Sequence, residues 1–238
     1  MTFISVAFDY HDTQYTRLAN VLEKSIRKNC PKADLILKLY PPPDVPEFER
    51  ANKRFGENSE KLNLWIEHMK DCEDQNIVLI DCDMMVLDNI SEIFNEDFDI
   101  AVTRHNGDRG RIPYNGGVIC VKKSDKTNLF FNEFLQINNK MYKDREFHEP
   151  WRTKYAGMNQ AAFGYMLENY DSDINIIEIP CSIYNLCSED WGKFNKLTPR
   201  PKIIHLKGAL RNICLSDSEP IKYGNIRNIW REFENGNK

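Results

Sequence analysis

The chain has no CxxC pair and no Cys/His spacing that fits a structural zinc site. Its seven cysteines (Cys30, Cys72, Cys82, Cys120, Cys181, Cys187 and Cys214) are odd in number and scattered. That argues against a disulfide framework and for a reduced, cytoplasmic chain. No segment approaches the roughly 20 apolar residues that span a bilayer. Met1 to Phe8 carry neither a basic flank nor a long apolar stretch, so they are read as an opening strand and not as a signal peptide. A basic excess is missing too: 32 Lys and Arg against 36 Asp and Glu leave a net charge of −4, which makes a dedicated nucleic-acid binder unexpected. Internal repeats and low-complexity tracts are absent.

What is present is a core. Hydrophobic residues make up 41% of 238, enough for one packed domain. Short apolar runs rich in β-branched residues alternate with segments of helical period. Strands are expected at Ile4–Phe8, Leu35–Leu39, Ile77–Ile80, Phe98–Thr103, Gly117–Val121, Ile174–Ile179 and Lys202–His205. Cys82 and Cys120 are read as lying inside strands. Helices are expected over 17–29, Ser59–Met69, Ser124 (as cap) to Met141, Met158–Asn169 and Ile226–Phe233, with 44–57 polar and turn-like. The alternation predicts a mostly parallel α/β sheet flanked by helices, with ligands beyond the carboxyl ends of the strands. Residues 1–238 are expected to form a single domain, with a nucleotide-binding half to about 103 and an acceptor-binding half from 104.

The chemistry concentrates where Ile77-Val78-Leu79-Ile80 runs into Asp81-Cys82-Asp83. Strand alternation puts both carboxylates on one face. Converging carboxylates call for a cation or for donors, and an oxygen-preferring divalent metal is the natural partner. Alone, such a strand end is as often a solvated turn. A phosphatase with a nucleophilic first aspartate in DxDx(T/V) is disfavoured, because the fifth position is Met85 and about eighty residues precede the motif. His205 closes a second apolar run, Ile203-Ile204-His205, and an imidazole there would tilt preference toward manganese. Gly208 nearby allows close backbone approach. Tyr114-Asn115-Gly116-Gly117 is either a bare strand-opening turn or a backbone cradle. Asn159 and Gln160, after Gly157, are either a helix cap or amides for sugar hydroxyls. Lys61, Lys207 and Arg211 are surface cations or diphosphate ligands. The loop Arg104 to Arg111 is basic and reads as mobile surface or as a lid.

The order of these segments resembles that of family-8 glycosyltransferases, the group that includes glycogenin. Lys61-Leu62-Asn63-Leu64-Trp65, Val78 to Ile90 with its Asp81-Cys82-Asp83, Ile90-Ser91-Glu92-Ile93-Phe94, Tyr114 to Val118, Gly157 to Gln160, and Ile203 to Arg211 are each similar to a family segment. The resemblance runs thinly from Ile4 to about Arg211. It implies a GT-A fold and transfer, with retention, of a hexose or pentose from a nucleotide sugar, UDP-glucose or UDP-galactose above others. Asp81, Asp83 and His205 would hold Mn²⁺ or Mg²⁺. Phe8, Asp9 and Tyr10 would cup the base. Lys61, Cys82, Asn115 and Gly116 would border the donor, and Lys207, Gly208 and Arg211 would close over the phosphates. Asn159, Gln160 and Arg211 would stand at the reacting centre. The acceptor could be a glycan, a lipid-linked saccharide or a protein, with a nucleobase less expected.

Three departures stand out. Asn159, or Met158 if the alignment slips by one, occupies the place of a family aspartate, Arg211 stands for a lysine with no Pro-Trp after it, and 104–113 has no family pattern. Loss of the carboxylate supports a rival reading, a non-catalytic nucleotide-sugar- or glycan-binding domain. An enzyme that makes sugar nucleotides would want a glycine-rich basic loop after the first strand, and Phe8-Asp9-Tyr10-His11-Asp12 offers none.

Overall fold

A computed structural model of the chain describes residues 1–9, 14–43, 53–105, 113–170, 173–218 and 222–236. The first half runs β1 (Thr2–Phe8), α1 (Gln14–Asn29), β2 (Asp34–Tyr40), α2 (Lys53–Asp71), β3 (Asn76–Ile80), β4 (Met84–Val86) and β5 (Ile100–Arg104). The second half runs β6 (Tyr114–Lys122), α3 (Asp125–Lys143), α4 (Arg145–Tyr155), α5 (Asn159–Asn169), β7 (Ile176–Pro180), α6 (Cys181–Tyr184), β8 (Ile203–His205), α7 (Ala209–Leu215) and α8 (Gly224–Asn235).

Six strands form one sheet in the order β2-β1-β3-β6-β5-β7. Pairing is parallel except at β6, which runs against both β3 and β5. The expected mostly parallel α/β sheet is therefore what the chain builds. Period-two alternation sends Ile4, Val6, Leu79, Val102 and Ile119 to one face, where they meet α2, α3 and α5 through Trp65, Phe130, Phe134 and Phe163. Phe3, Val78, Ile80, Ala101 and Cys120 face the other way, against Leu22 and Ile26 of α1 and the short β4 and β8. A third cluster seats α7 and α8 on α1 through Leu210, Ile226, Trp230 and Leu18.

Ser124 caps α3 as expected: its Oγ accepts from Thr127 N–H while Thr127 Oγ1 accepts from Ser124 N–H. Three expectations need correction. Residues 53–57 are helical, not turn-like, because Phe55 packs onto the core and meets the His148 ring edge-on at 5.4 Å. Residues 44–52 lie outside the described residues. Cys82 sits in a turn beyond β3, not in a strand. Helix α4 was not expected. Asp144 Oδ1 caps it by accepting from Phe147 N–H at 3.0 Å, and Pro150 lies within it.

Candidate active site

The pairing that builds the site is small. β4 and β8, three residues each, run antiparallel with Met84 opposite His205. Leu206 N–H donates to Asp83 O at 2.7 Å, closing the ribbon. This pairing brings His205 beside two carboxylates far from it in the chain. β6 supplies the wall: Asp81 N–H donates to Gly117 O at 2.9 Å. Gly117 is packed so closely that a Cβ there would lie 2.5 Å from Met84 Cε and 2.9 Å from His205 Cε1. Gly208, at φ 57°, turns the chain from β8 into α7 in a conformation that favours glycine, and α7 presents Arg211.

His205 Nε2 lies 3.3 Å from Asp83 Oδ1 and 3.9 Å from Asp81 Oδ2. One ligand atom from each of the three residues can be chosen so that all lie within 4.8 Å of one another. Two carboxylates and one imidazole make an oxygen-rich set suited to Mn²⁺ or Mg²⁺. The ring is already oriented, because its Nδ1 lies 3.0 Å from Asn185 Oδ1. Donation from Nδ1–H to that oxygen leaves Nε2 facing the carboxylates. Asn185 is itself held, donating to Thr103 Oγ1 at 2.9 Å. The three side chains fit a divalent ion.

Cations flank the acids. Lys61 Nζ lies 2.5 Å from Asp81 Oδ1 and 4.5 Å from the Trp65 ring centroid. Arg211 Nη1 lies 3.6 Å from Asp83 Oδ2 and 3.5 Å from Tyr15 Oη. Burial presses the Asp83 carboxyl upward, but His205, Arg211 and Lys61 outweigh it and hold the group well below the usual carboxylate range. Burial presses His205 downward, yet Asp83 above all raises it to about 9. Burial and the two neighbouring aspartates push the Cys82 thiol well up, so it is a neutral wall and not a nucleophile.

Two adjoining compartments open here. The larger, about 260 Å³, is bordered by Lys61, Asp81, Asn115, Gly116, His205 and Lys207, with Asn159 and Gln160 at the N-terminus of α5. Its far wall is apolar: Leu62, Trp65, Phe134 and Phe163. The smaller, about 150 Å³, is bordered by Phe8, Tyr15, Lys61, Cys82, Asp83 and Arg211. Most residues singled out in the sequence thus come together. Asp9 and Gly208 border neither compartment, although Asp9 continues the sheet with N–H to Tyr40 O at 2.8 Å. Tyr10 lies outside the described residues, as does most of the basic loop. Arg104, where that loop begins, is paired with Glu178.

Several side chains act differently from the sequence reading. Asn115 is buried and engaged by protein: Oδ1 accepts from Gly117 N–H at 3.0 Å and Nδ2 donates to Cys187 Sγ at 3.0 Å. Asn159 is not a cap; its Nδ2 donates to Asn58 O at 2.7 Å. Gln160 Nε2 donates to Tyr114 O at 2.6 Å. Tyr15, Asn58, Trp65 and Asn185 were not identified from the sequence as site residues. Only Trp65 left a trace, through its i+4 spacing from Lys61.

A family model described as nucleotide-diphospho-sugar transferase matches residues 73–212, and the chain belongs to that family. Solved structures agree on the fold. GlyE, a glycosyltransferase of Streptococcus pneumoniae TIGR4, superposes with a TM-score of 0.64 at 14% identity over 98% of this chain. The chain spans 59% of GlyE's length. A glycosyltransferase involved in glycosylating the major capsid of PBCV-1 gives a TM-score of 0.61 at 14% identity, covering 96% of this chain and 98% of that one. The galactosyltransferase LgtC gives 0.58 at 11% identity, covering 97% and 95%. These likenesses establish a GT-A type fold. No curated protein sequence matches the chain. Among the described residues no helix is long and apolar enough to cross a membrane.

Proposed function

We propose that the chain is a metal-dependent glycosyltransferase that moves a hexose or pentose from a UDP-linked donor to an acceptor, with retention. One observation carries the reading: Asp81, Asp83 and His205 converge at the junction of two compartments, with Lys61 and Arg211 on either side. A divalent ion held by those three residues would supply Lewis-acid stabilisation of the leaving diphosphate. Arg211 and Lys61 add fixed positive charge where negative charge grows. The smaller compartment, between Phe8 and Tyr15, suits the base and ribose, and the larger suits the sugar.

Two residues of the larger compartment's wall each carry a buried polar atom. Trp65 Nε1 and Asn159 Oδ1 are buried without a hydrogen-bond partner among the described residues. Such atoms are costly, but both lie beneath the compartment's surface and would reach a sugar hydroxyl only if their side chains turned toward it. The amide of Asn159 cannot form a glycosyl ester as a carboxylate would. The reading is therefore a front-face reaction: the bond from the anomeric carbon to the diphosphate breaks, the acceptor oxygen bonds to the same face, and the leaving phosphate oxygen takes the acceptor's proton. Asn159 and Gln160 border the carbon on which positive charge develops. UDP-glucose and UDP-galactose are the donors to try first. A glycan, a lipid-linked saccharide or a protein is the acceptor class.

The test is hydrolysis of those donors with Mn²⁺ by the wild type and by Asp81→Ala. Turnover that depends on both metal and Asp81, in a variant with unchanged circular dichroism, supports the reading. Metal-dependent UDP binding without turnover on any donor favours the non-catalytic alternative, for which Asn159 is the structural support.

A further inference from the structure

We infer that His105, Cys187 and Glu189 form a second metal site, which adjoins the Asp81–Asp83–His205 corner through the contact of Cys187 with the His205 ring, and that it takes a thiolate-preferring divalent ion, Zn²⁺. One ligand atom from each lies within 4.8 Å of the others. The ligands come from two places. His105 follows β5 directly and is fixed by N–H to Pro113 O at 2.9 Å. Cys187 and Glu189 lie in the turn after α6, and Asp190 N–H donates to Cys187 O at 3.0 Å within that turn. The turn is tied to the sheet, since His205 N–H donates to Leu186 O at 3.0 Å and Asn115 Nδ2 donates to Cys187 Sγ at 3.0 Å. The sulfur is thus held in place while Glu189, exposed to solvent, leaves a route for an ion to enter.

The chemistry separates the two sites. One nitrogen, one sulfur and one carboxylate make a zinc set, with a fourth tetrahedral position left for water or another ligand. The other corner has two hard carboxylates and no sulfur, and suits Mn²⁺ or Mg²⁺. At a site with sulfur, Zn²⁺ binds far more tightly than Mn²⁺. The absence of a zinc spacing in the sequence does not count against this site. Spacing rules describe ligands close together in the chain, whereas these are brought together by the parallel pairing of β5 with β7 and the turn that follows, which Asn185 ties back to Thr103 of β5.

The test uses the whole, reduced, metal-free chain. Co²⁺ added to the wild type should give the intense near-ultraviolet thiolate-to-cobalt band, and Zn²⁺ should abolish it. The band should persist in Asp81→Ala and vanish in Cys187→Ser. Glu189→Ala, at an exposed position, should fold normally and weaken Zn²⁺ competition by about tenfold or more while leaving Mn²⁺ affinity as it was. No band in the folded wild type, a band that survives Cys187→Ser, a band lost in Asp81→Ala, or unchanged Zn²⁺ affinity in Glu189→Ala would each overturn the assignment.

Discussion

The front of the molecule and its back both carry a cavity, and the larger lies at the back. A space of about 440 Å³ opens between α1, α8 and the 3-10 turn at Trp191–Lys196, bordered by Lys28, Leu87, Asp88, Phe194, Arg200 and Phe233. The front compartments are about 260 and 150 Å³. At the back the charges stand apart: Lys28 lies over the Phe233 ring at 5.2 Å, and Asp88 Oδ1 accepts from its neighbour Asn89 N–H. At the front, two acids, an imidazole and two cations crowd within salt-bridge reach and are largely shielded from water. Volume alone would choose the other side. What marks the front is charge kept together at a desolvation cost that folding alone gives no reason to bear.

The sharpest way to break this contrast is to remove its centre. Asp81→Ala or Asp83→Ala should lower donor turnover by at least about a hundredfold. Unchanged circular dichroism would confirm that the fold survives, and wild-type turnover would remove the distinction between front and back. Gly117→Ala is next. Its Cβ would press on the Met84 methyl, which can give, and on the His205 ring, which is held by Asn185. The expected loss is about 1–3 kcal/mol in denaturant unfolding, with weaker Mn²⁺ binding in isothermal titration.

A pH series should sharpen the comparison further. His205 is raised from 6.5 to about 9 by Asp83, so in the metal-free chain its pairing stabilises fully below pH 6.5 and is lost as pH rises through about 9. Asp83 is lowered from 3.8, so its contribution is present above 3.8 and is lost as pH falls toward the lowered value. Melting temperatures of metal-free protein should fall between pH 6.5 and above 9, and His205→Gln should flatten that change. Mn²⁺ competes with the same proton, so its affinity should climb over the same interval. The smallest expected effect on turnover is at the back: Phe194→Ala, which removes packing on the cluster of α1, α7 and α8, should cost stability but leave donor turnover within about twofold.

The strand end at Asp81 was legible because an apolar run stopping at two acids is a local pattern. The sheet was legible for the same reason, run by run. The β4–β8 pairing was not, since three residues carry no period and their partner lies far along the chain. Asn185, which orients His205, is one amide between Tyr184 and Leu186, and no pattern separates it from a surface residue. Tyr15 was missed because the helix expected from residue 17 begins at Gln14, so the turn that carries Tyr15 was left out of it. Family resemblance placed Asn115 at the donor, but only the packing shows that both ends of its amide are occupied by protein.

The reversal of β6 has a consequence beyond the present site. Because this strand enters the sheet where its neighbours leave it, the connection from Arg104 to Tyr114 begins and ends at the same rim. Residues can be added to or removed from that connection without shifting any ladder. A lineage with this architecture can therefore vary the length of that connection while Asp81, Asp83 and His205 stay where they are.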